Sequence, residues 1–184
     1  MGVYVIALEP NEEFLNNITK QKSLVKKIAG NQIYLDHPPH ITVYIMFNKN
    51  MGKIKEIVEN ISNNTNRLFL EIKELNFFKD DKKTNANTIF YDFTEEKELK
   101  NFQEKIVFSL SHLDEAKEKY NFIGEYWHPH ITVTSIEKEK FENVFKILKE
   151  NELTGKFSIG KVVIYSYIHP NPPIEIESFE LKNV

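Results

Sequence analysis

The 184-residue chain contains no cysteine, which excludes a disulfide framework and any thiolate-held zinc or iron–sulfur centre. Arginine is nearly absent as well. Arg67 is the only one, so lysine must supply any positive charge near a ligand, as a point charge without the bidentate guanidinium fork. An excess of one charge sign is also missing: 24 Lys plus Arg stand against 27 Asp plus Glu, a formal net charge of -3 at pH 7. That balance lacks the bulk positive field of a non-specific nucleic-acid binder, and duplex DNA is not an expected partner. No apolar run approaches the roughly 20 residues of a membrane helix. The opening MGVYVIALEP has neither the basic flank nor the cleavage site of a signal peptide. A cytoplasmic, monomeric protein without membrane contact is expected. The 28% charged and 41% hydrophobic residues suit one domain spanning 1–184.

Val3 to Leu8 is short, apolar and β-branched, the pattern of a buried strand, and Pro10 ends it. Phe14, Leu15, Ile18, Leu24, Val25 and Ile28 then recur near helical spacing, with Gly30 as the stop. Lys20, Lys22, Lys26 and Lys27 on that helix read as a solvated face. Pro38 and Pro39 force an extended approach into the strand His40 to Ile45. A short helix with Ile54, Ile57, Val58 and Ile61 follows, then an alternating strand from Leu68 to Lys73. Lys79 to Asn87 is the most polar stretch and reads as an exposed linker or mobile loop.

The second half repeats this order. A strand from Thr88 to Phe93 and a helix from Glu95 to about Leu113 lead to an extended segment from Trp127 to Thr134. After it come a helix with Phe141, Val144, Phe145 and Leu148 on one side and a strand from Phe157 to Ile168. Ile174 to Phe179 forms a last strand completing a sheet. The internal repeat covers approximately 1–80 and 87–170. Three strands and two helices per copy would leave a sheet face bare, so the copies are expected to form one bilobed domain with facing lobes.

The informative residues are His40-Ile41-Thr42-Val43 and His130-Ile131-Thr132-Val133, one copy per half, each directly after a proline, Pro39 and Pro129. Residues i and i+2 of a strand share a face, so each copy points its His and Thr one way and its Ile and Val the other. Two imidazoles on one cleft can divide acid–base work, because a group titrating near 6.5 holds either role at neutral pH. The threonine hydroxyls can donate to non-bridging phosphate oxygens without a metal. A single His-x-Thr means little. Two identical copies at equivalent points of a repeat mean much more.

On these motifs, and over essentially its whole length, the chain resembles the 2H phosphoesterase superfamily, most closely its LigT-like branch of RNA 2',3'-cyclic phosphodiesterases and 2'-5' RNA ligases. The resemblance implies an α+β, duplicated bilobal fold with two antiparallel sheets flanking a central cleft and helices outside. It implies catalytic His40 and His130, phosphate-binding Thr42 and Thr132, and no metal or other cofactor. The implied reaction opens a 2',3'-cyclic phosphate, at an RNA end or on a small nucleotide, to a 2'-phosphate, with His130 activating water and His40 protonating the leaving oxygen. Reversible 2'-5' ligation, cleavage of 2'-5' oligoadenylate, opening of a cyclic ADP-ribose phosphate, and nucleotide or RNA binding without turnover use the same cleft.

Other residues compete for a role. His37, His40, His128 and His130 could form a nitrogen-ligand set for zinc, but no Asp or Glu recurs with both copies and the threonines would then be idle. Period-two alternation puts Tyr44 and Thr134 on the histidine face, where Tyr44 could meet a base or phosphate. Tyr126, Trp127 and Tyr165 are candidates for base stacking, and Lys161 and Lys49 for positive charge at the rim.

Overall fold

A computed structural model of the chain describes residues 2–48, 50–94, 97–115, 127–168 and 171–183. Among them, seven strands form from the β-branched and aromatic runs: β1 (Gly2–Pro10), β2 (Ile41–Asn48), β3 (Leu68–Asp81), β4 (Ala86–Phe93), β5 (His130–Ile136), β6 (Lys156–Ser166) and β7 (Ile174–Glu180). Four α-helices intervene: α1 (Glu12–Ala29), α2 (Met51–Ser62), α3 (Lys97–Leu110) and α4 (Lys138–Glu150). Among the described residues no helix is long and apolar enough to cross a membrane.

The expected pair of separate sheets is not what forms. All seven strands belong to one antiparallel sheet in the order β1-β2-β5-β4-β3-β6-β7, with β1 also paired to β6. Two long-range junctions unite strands that the sequence pattern shows only individually. Ile41 of β2 pairs with Ile131 of β5, and Leu68 to Glu71 of β3 pair with Ile159 back to Lys156 of β6. The rest of that edge of β6 carries β7, from Lys161↔Glu180 to Ser166↔Ile174, while β1 runs along the other edge.

The four helices cover one face of the sheet. Phe14, Ile18 and Val25 of α1, Ile54 and Val58 of α2, Phe102 and Ile106 of α3, and Phe141 and Val144 of α4 pack with Ile6, Leu8, Ile41, Val43, Ile131 and Val133 in the main core. Burying each such side chain stabilises by roughly 1.5–3 kcal/mol. The alternate residues Val5 and Ala7 of β1 join Val163 and Tyr165 in a smaller cluster, with Ile45 and Tyr167 against it. Strand alternation places that cluster on the opposite face.

Two sequence expectations change here. Lys79 to Asn87 is not a linker: β3 continues to Asp81 and β4 begins at Ala86, so the stretch is the tip of a hairpin. Asp80 and Asn85 take its positive φ angles of 51° and 54°, which short polar side chains tolerate better than most. The second change concerns alternation. In β2, Ile6 and Ala7 of β1 face Tyr44 and Thr42, skipping Val43. In β5, Ile89 and Phe90 of β4 face Thr134 and Thr132, skipping Val133. Each motif strand therefore carries a bulge at the same motif position, and a bulge moves every later side chain to the other face.

Tyr44 accordingly lies in the main core at 3% exposure. Its hydroxyl donates to Asp114 at 2.9 Å, and the other carboxylate oxygen accepts from the Phe47 backbone. Ile45 takes the cleft position instead. Tyr44→Phe is expected to destabilise the fold by about 1–3 kcal/mol in urea titration, through loss of the buried hydrogen bond to Asp114, while altering turnover by less than about twofold.

Candidate functional site

The pairing of Ile41 with Ile131 positions the site. Both isoleucines are fully buried in the main core, so His40 and Thr42 on one side, and His130 and Thr132 on the other, turn to the opposite face together. Antiparallel direction sets Thr42 beside His130 and His40 beside Thr132. All four line one cleft of about 750 Å³. Trp127 strengthens the junction, its indole N–H donating to the Thr42 carbonyl at 2.9 Å.

The two imidazoles are held alike. His40 Nδ1 lies 2.8 Å from the Pro38 carbonyl, and His130 Nδ1 lies 2.7 Å from the His128 carbonyl. A carbonyl only accepts, so each Nδ1 carries the hydrogen and each neutral ring keeps an Nε2 lone pair for the cleft. The extended approaches through Pro38-Pro39 and Pro129 bring these carbonyls into reach. His130 packs among Phe78 and Phe90, at centroid distances of 5.2 and 4.9 Å, and His40 packs against Tyr165 at 5.3 Å.

Burial dominates the electrostatics. It lowers both histidines from the ordinary 6.5 to about 4, against the raising effect of their carbonyl partners. Lys22, His37 and His130 add smaller lowering effects at His40. Near His130 the charge of His128 lowers and that of Asp92 raises. Both rings therefore favour the neutral form at pH 7. Charge on a bound anion would favour protonation of one of them.

His128 lies on the cleft wall, its Nε2 2.6 Å from buried Asp92, whose other oxygen accepts from Asn76 at 2.8 Å. This chain of contacts fixes the residue whose carbonyl orients His130. Asp92 also faces His130 in the β4–β5 register. Among the described residues no three His, Asp or Glu side chains group as a metal-ligand set.

The family model of the 2'-5' RNA ligase superfamily matches residues 10–171. The chain belongs to that family. Solved structures repeat its fold. Protein TT0787 of Thermus thermophilus has a TM-score of 0.70 at 12% identity, over 98% of each chain. The apo form of E. coli LigT has a TM-score of 0.63 at 11% identity, over 98% of each chain. A structure described as a phosphoesterase gives 0.63 at 10% identity, over 99% of each. No curated protein matches the chain in sequence.

Beyond the motif residues, the chain gathers few of the sequence candidates at its cleft. Tyr44 is in the core through its bulge. Thr134 is fully buried through the other bulge, donating to the Ile33 carbonyl at 3.2 Å. Trp127 packs against the main core rather than on the cleft wall. Lys161 pairs with Glu9 at 3.1 Å, and that partner raises its pKa. Tyr165 is 2% exposed and supports His40 from beneath. Tyr126 and Lys49 lie outside the described residues.

The structure adds Phe78, Asp92, Tyr34 and Lys22 to the neighbourhood of the motifs. Lys22 contradicts its reading as part of a solvated face: it is 5% exposed, whereas Lys20, Lys26 and Lys27 are exposed. Its position four residues after Ile18, on the stripe of Phe14, Ile18 and Val25, was the available signal. Nothing comparable marked Asp92 or Phe78, whose proximity depends on strand register.

The lowered histidines carry a pH signature. A histidine whose folded pKa lies below its unfolded value binds fewer protons when folded, so its contribution to stability is complete above about 6.5 and is lost as pH falls toward about 4. Melting temperature should therefore fall across that window, and the fall should be shallower in a His40→Asn/His130→Asn double variant. Differential scanning fluorimetry across the pH range measures both slopes.

Proposed function

We propose that the protein is a metal-independent phosphoesterase that opens 2',3'-cyclic phosphates to 2'-phosphates by two-histidine acid–base catalysis, with one bilobed domain, 1–184, supplying the whole cleft. The observation that carries this reading is the matched pair of imidazoles, each with Nδ1 bound to a carbonyl two residues upstream, lining one cleft with Thr42 and Thr132. General acid and general base catalysis need one proton acceptor and one donor within reach of the same phosphorus.

In the proposed step His130 Nε2 takes a proton from water as its oxygen bonds to phosphorus. The bond from phosphorus to the 3'-oxygen breaks, and protonated His40 gives its proton to that oxygen. The charge on the cyclic phosphate offsets the desolvation that otherwise holds His40 neutral. Thr42 and Thr132 hydroxyls donate to the non-bridging oxygens, where negative charge grows in the transition state. With the 5'-hydroxyl of a second strand in place of water, the same attack on a 2',3'-cyclic end breaks the bond to the 3'-oxygen, which takes the proton of His40, and forms a 2'-5' linkage.

The ligands of fold relatives support a nucleotide-sized substrate: E. coli LigT has been solved with 3'-AMP, NADP+, phosphate and ATP. The cleft wall favours the same class. Val3, Val5, Ile45, Phe78 and Ile168 contribute apolar surface, and Lys22 and Lys83 are the lysines among the lining residues. A long RNA backbone would favour a track of cations. A small nucleotide or a terminal cyclic phosphate needs one anion site and an apolar seat for the base.

Turnover of the four nucleoside 2',3'-cyclic monophosphates in EDTA, with 2'- and 3'-phosphate products resolved, tests the reading. The parent protein should release the 2'-phosphate. His40→Ala and His130→Ala should each lower kcat by about 10²–10⁴-fold, and Thr42→Ala or Thr132→Ala by about 10². Unchanged turnover in either histidine variant would sink the mechanism.

A further inference from the structure

The buried stripe of α1 contains a cation. Lys22 is 5% exposed and lines the same cleft as His40 and Thr42. Its ammonium donates to two backbone carbonyls, Tyr34 at 2.8 Å and His37 at 2.6 Å. It forms no ion pair among the described residues. Asp36, the carboxylate whose charge raises it, is largely exposed and lies 3.8 Å from Lys26. An ammonium has three N–H donors, and two are used.

Burying a cation without a counter-ion is costly, and the cost is visible here: desolvation lowers Lys22 from 10.5 to about 8. A second cost sits beside it. Tyr34, which presents its carbonyl to Lys22, has a φ of 70°, a left-handed conformation that is a real outlier for a bulky residue. Its ring edges against His37, and His37 edges against Tyr167. The loop that carries Pro38 and His40 is thus held in a strained form around an ammonium that has no ion pair among the described residues.

We propose that Lys22 is the anion anchor of this cleft: its remaining N–H takes a non-bridging phosphoryl oxygen of the substrate beside His40, and that phosphate is its counter-ion. The proposal rests on the reading of the cleft as a phosphoester site and adds the residue that seats the phosphate. It assigns a substrate-binding role to a helix residue outside both motifs. It also couples binding to catalysis, because the ammonium that receives the phosphate grips the loop that aims His40.

Inorganic phosphate is the probe, used with the full chain in calorimetry and in NMR of lysine 13Cε. The ionisable groups around the ammonium are Asp36, Tyr34, His37 and His40, with Asp81 and Lys83 elsewhere on the cleft wall. Near pH 8 the parent Lys22 resonance should move to its fully protonated position as phosphate is added. Lys22→Met and Lys22→Gln should weaken phosphate binding by about tenfold or more, and Lys22→Arg by less than about threefold. Gln keeps a donor for the carbonyls but no charge, so a loop-holding role alone would spare it. With a cyclic nucleotide, KM should rise more than kcat falls. An unmoved Lys22 resonance, or unweakened phosphate binding in folded Lys22→Gln, would overturn the proposal and leave the two-histidine mechanism intact. If Lys22→Met does not fold, the parent resonance decides. Failure of the parent protein to bind phosphate at all would overturn the anchor and the phosphoester reading together.

Discussion

The pairing of Ile41 with Ile131 is the contact on which the site depends. It joins the two motif strands at the residue between His and Thr in each copy. With both isoleucines committed to the core by burial, period-two geometry leaves no choice for their neighbours: two histidines and two threonines emerge on the other face. The energetic reason is ordinary hydrophobic burial. The chemical consequence is a four-residue constellation that neither half of the chain could build alone.

The motif strands keep this geometry for only a short distance. A bulge at Val43 and another at Val133 reverse the alternation just after each threonine. Without them Tyr44 and Thr134 would stand in the cleft. With them Tyr44 reaches Asp114 in the core, Thr134 reaches the Ile33 carbonyl, and Ile45 lines the cleft. The bulges keep Tyr44 and Thr134 out of the cleft and set apolar Ile45 on its wall beyond the motif residues.

Desolvation is the common electrostatic theme. His40, His130 and Lys22 all lie below their ordinary pKa values, and burial is the leading cause for each. Around this one cleft, burial works against the charged form of all three basic groups. The Asn76–Asp92–His128 chain and the Lys22 grip on Tyr34 and His37 give the two motif approaches similar support from different residues.

The sequence by itself determined the strands and helices, the duplicated order and the two His-x-Thr motifs, because these depend on local periodicity and on residues adjacent in the chain. It could not determine that the strands form one sheet, since the junctions at Ile41–Ile131 and Leu68–Ile159 join residues far apart in the chain. The bulges were equally illegible. A skipped residue exists only relative to the partner strand, so Tyr44 and Thr134 read as cleft residues until β1 and β4 were in place. Lys22 was half legible: its spacing from Ile18 marked the buried stripe, but its charge argued for solvent. Only the tertiary structure resolved that conflict, by supplying two backbone carbonyls and a cleft where the helix alone offered none.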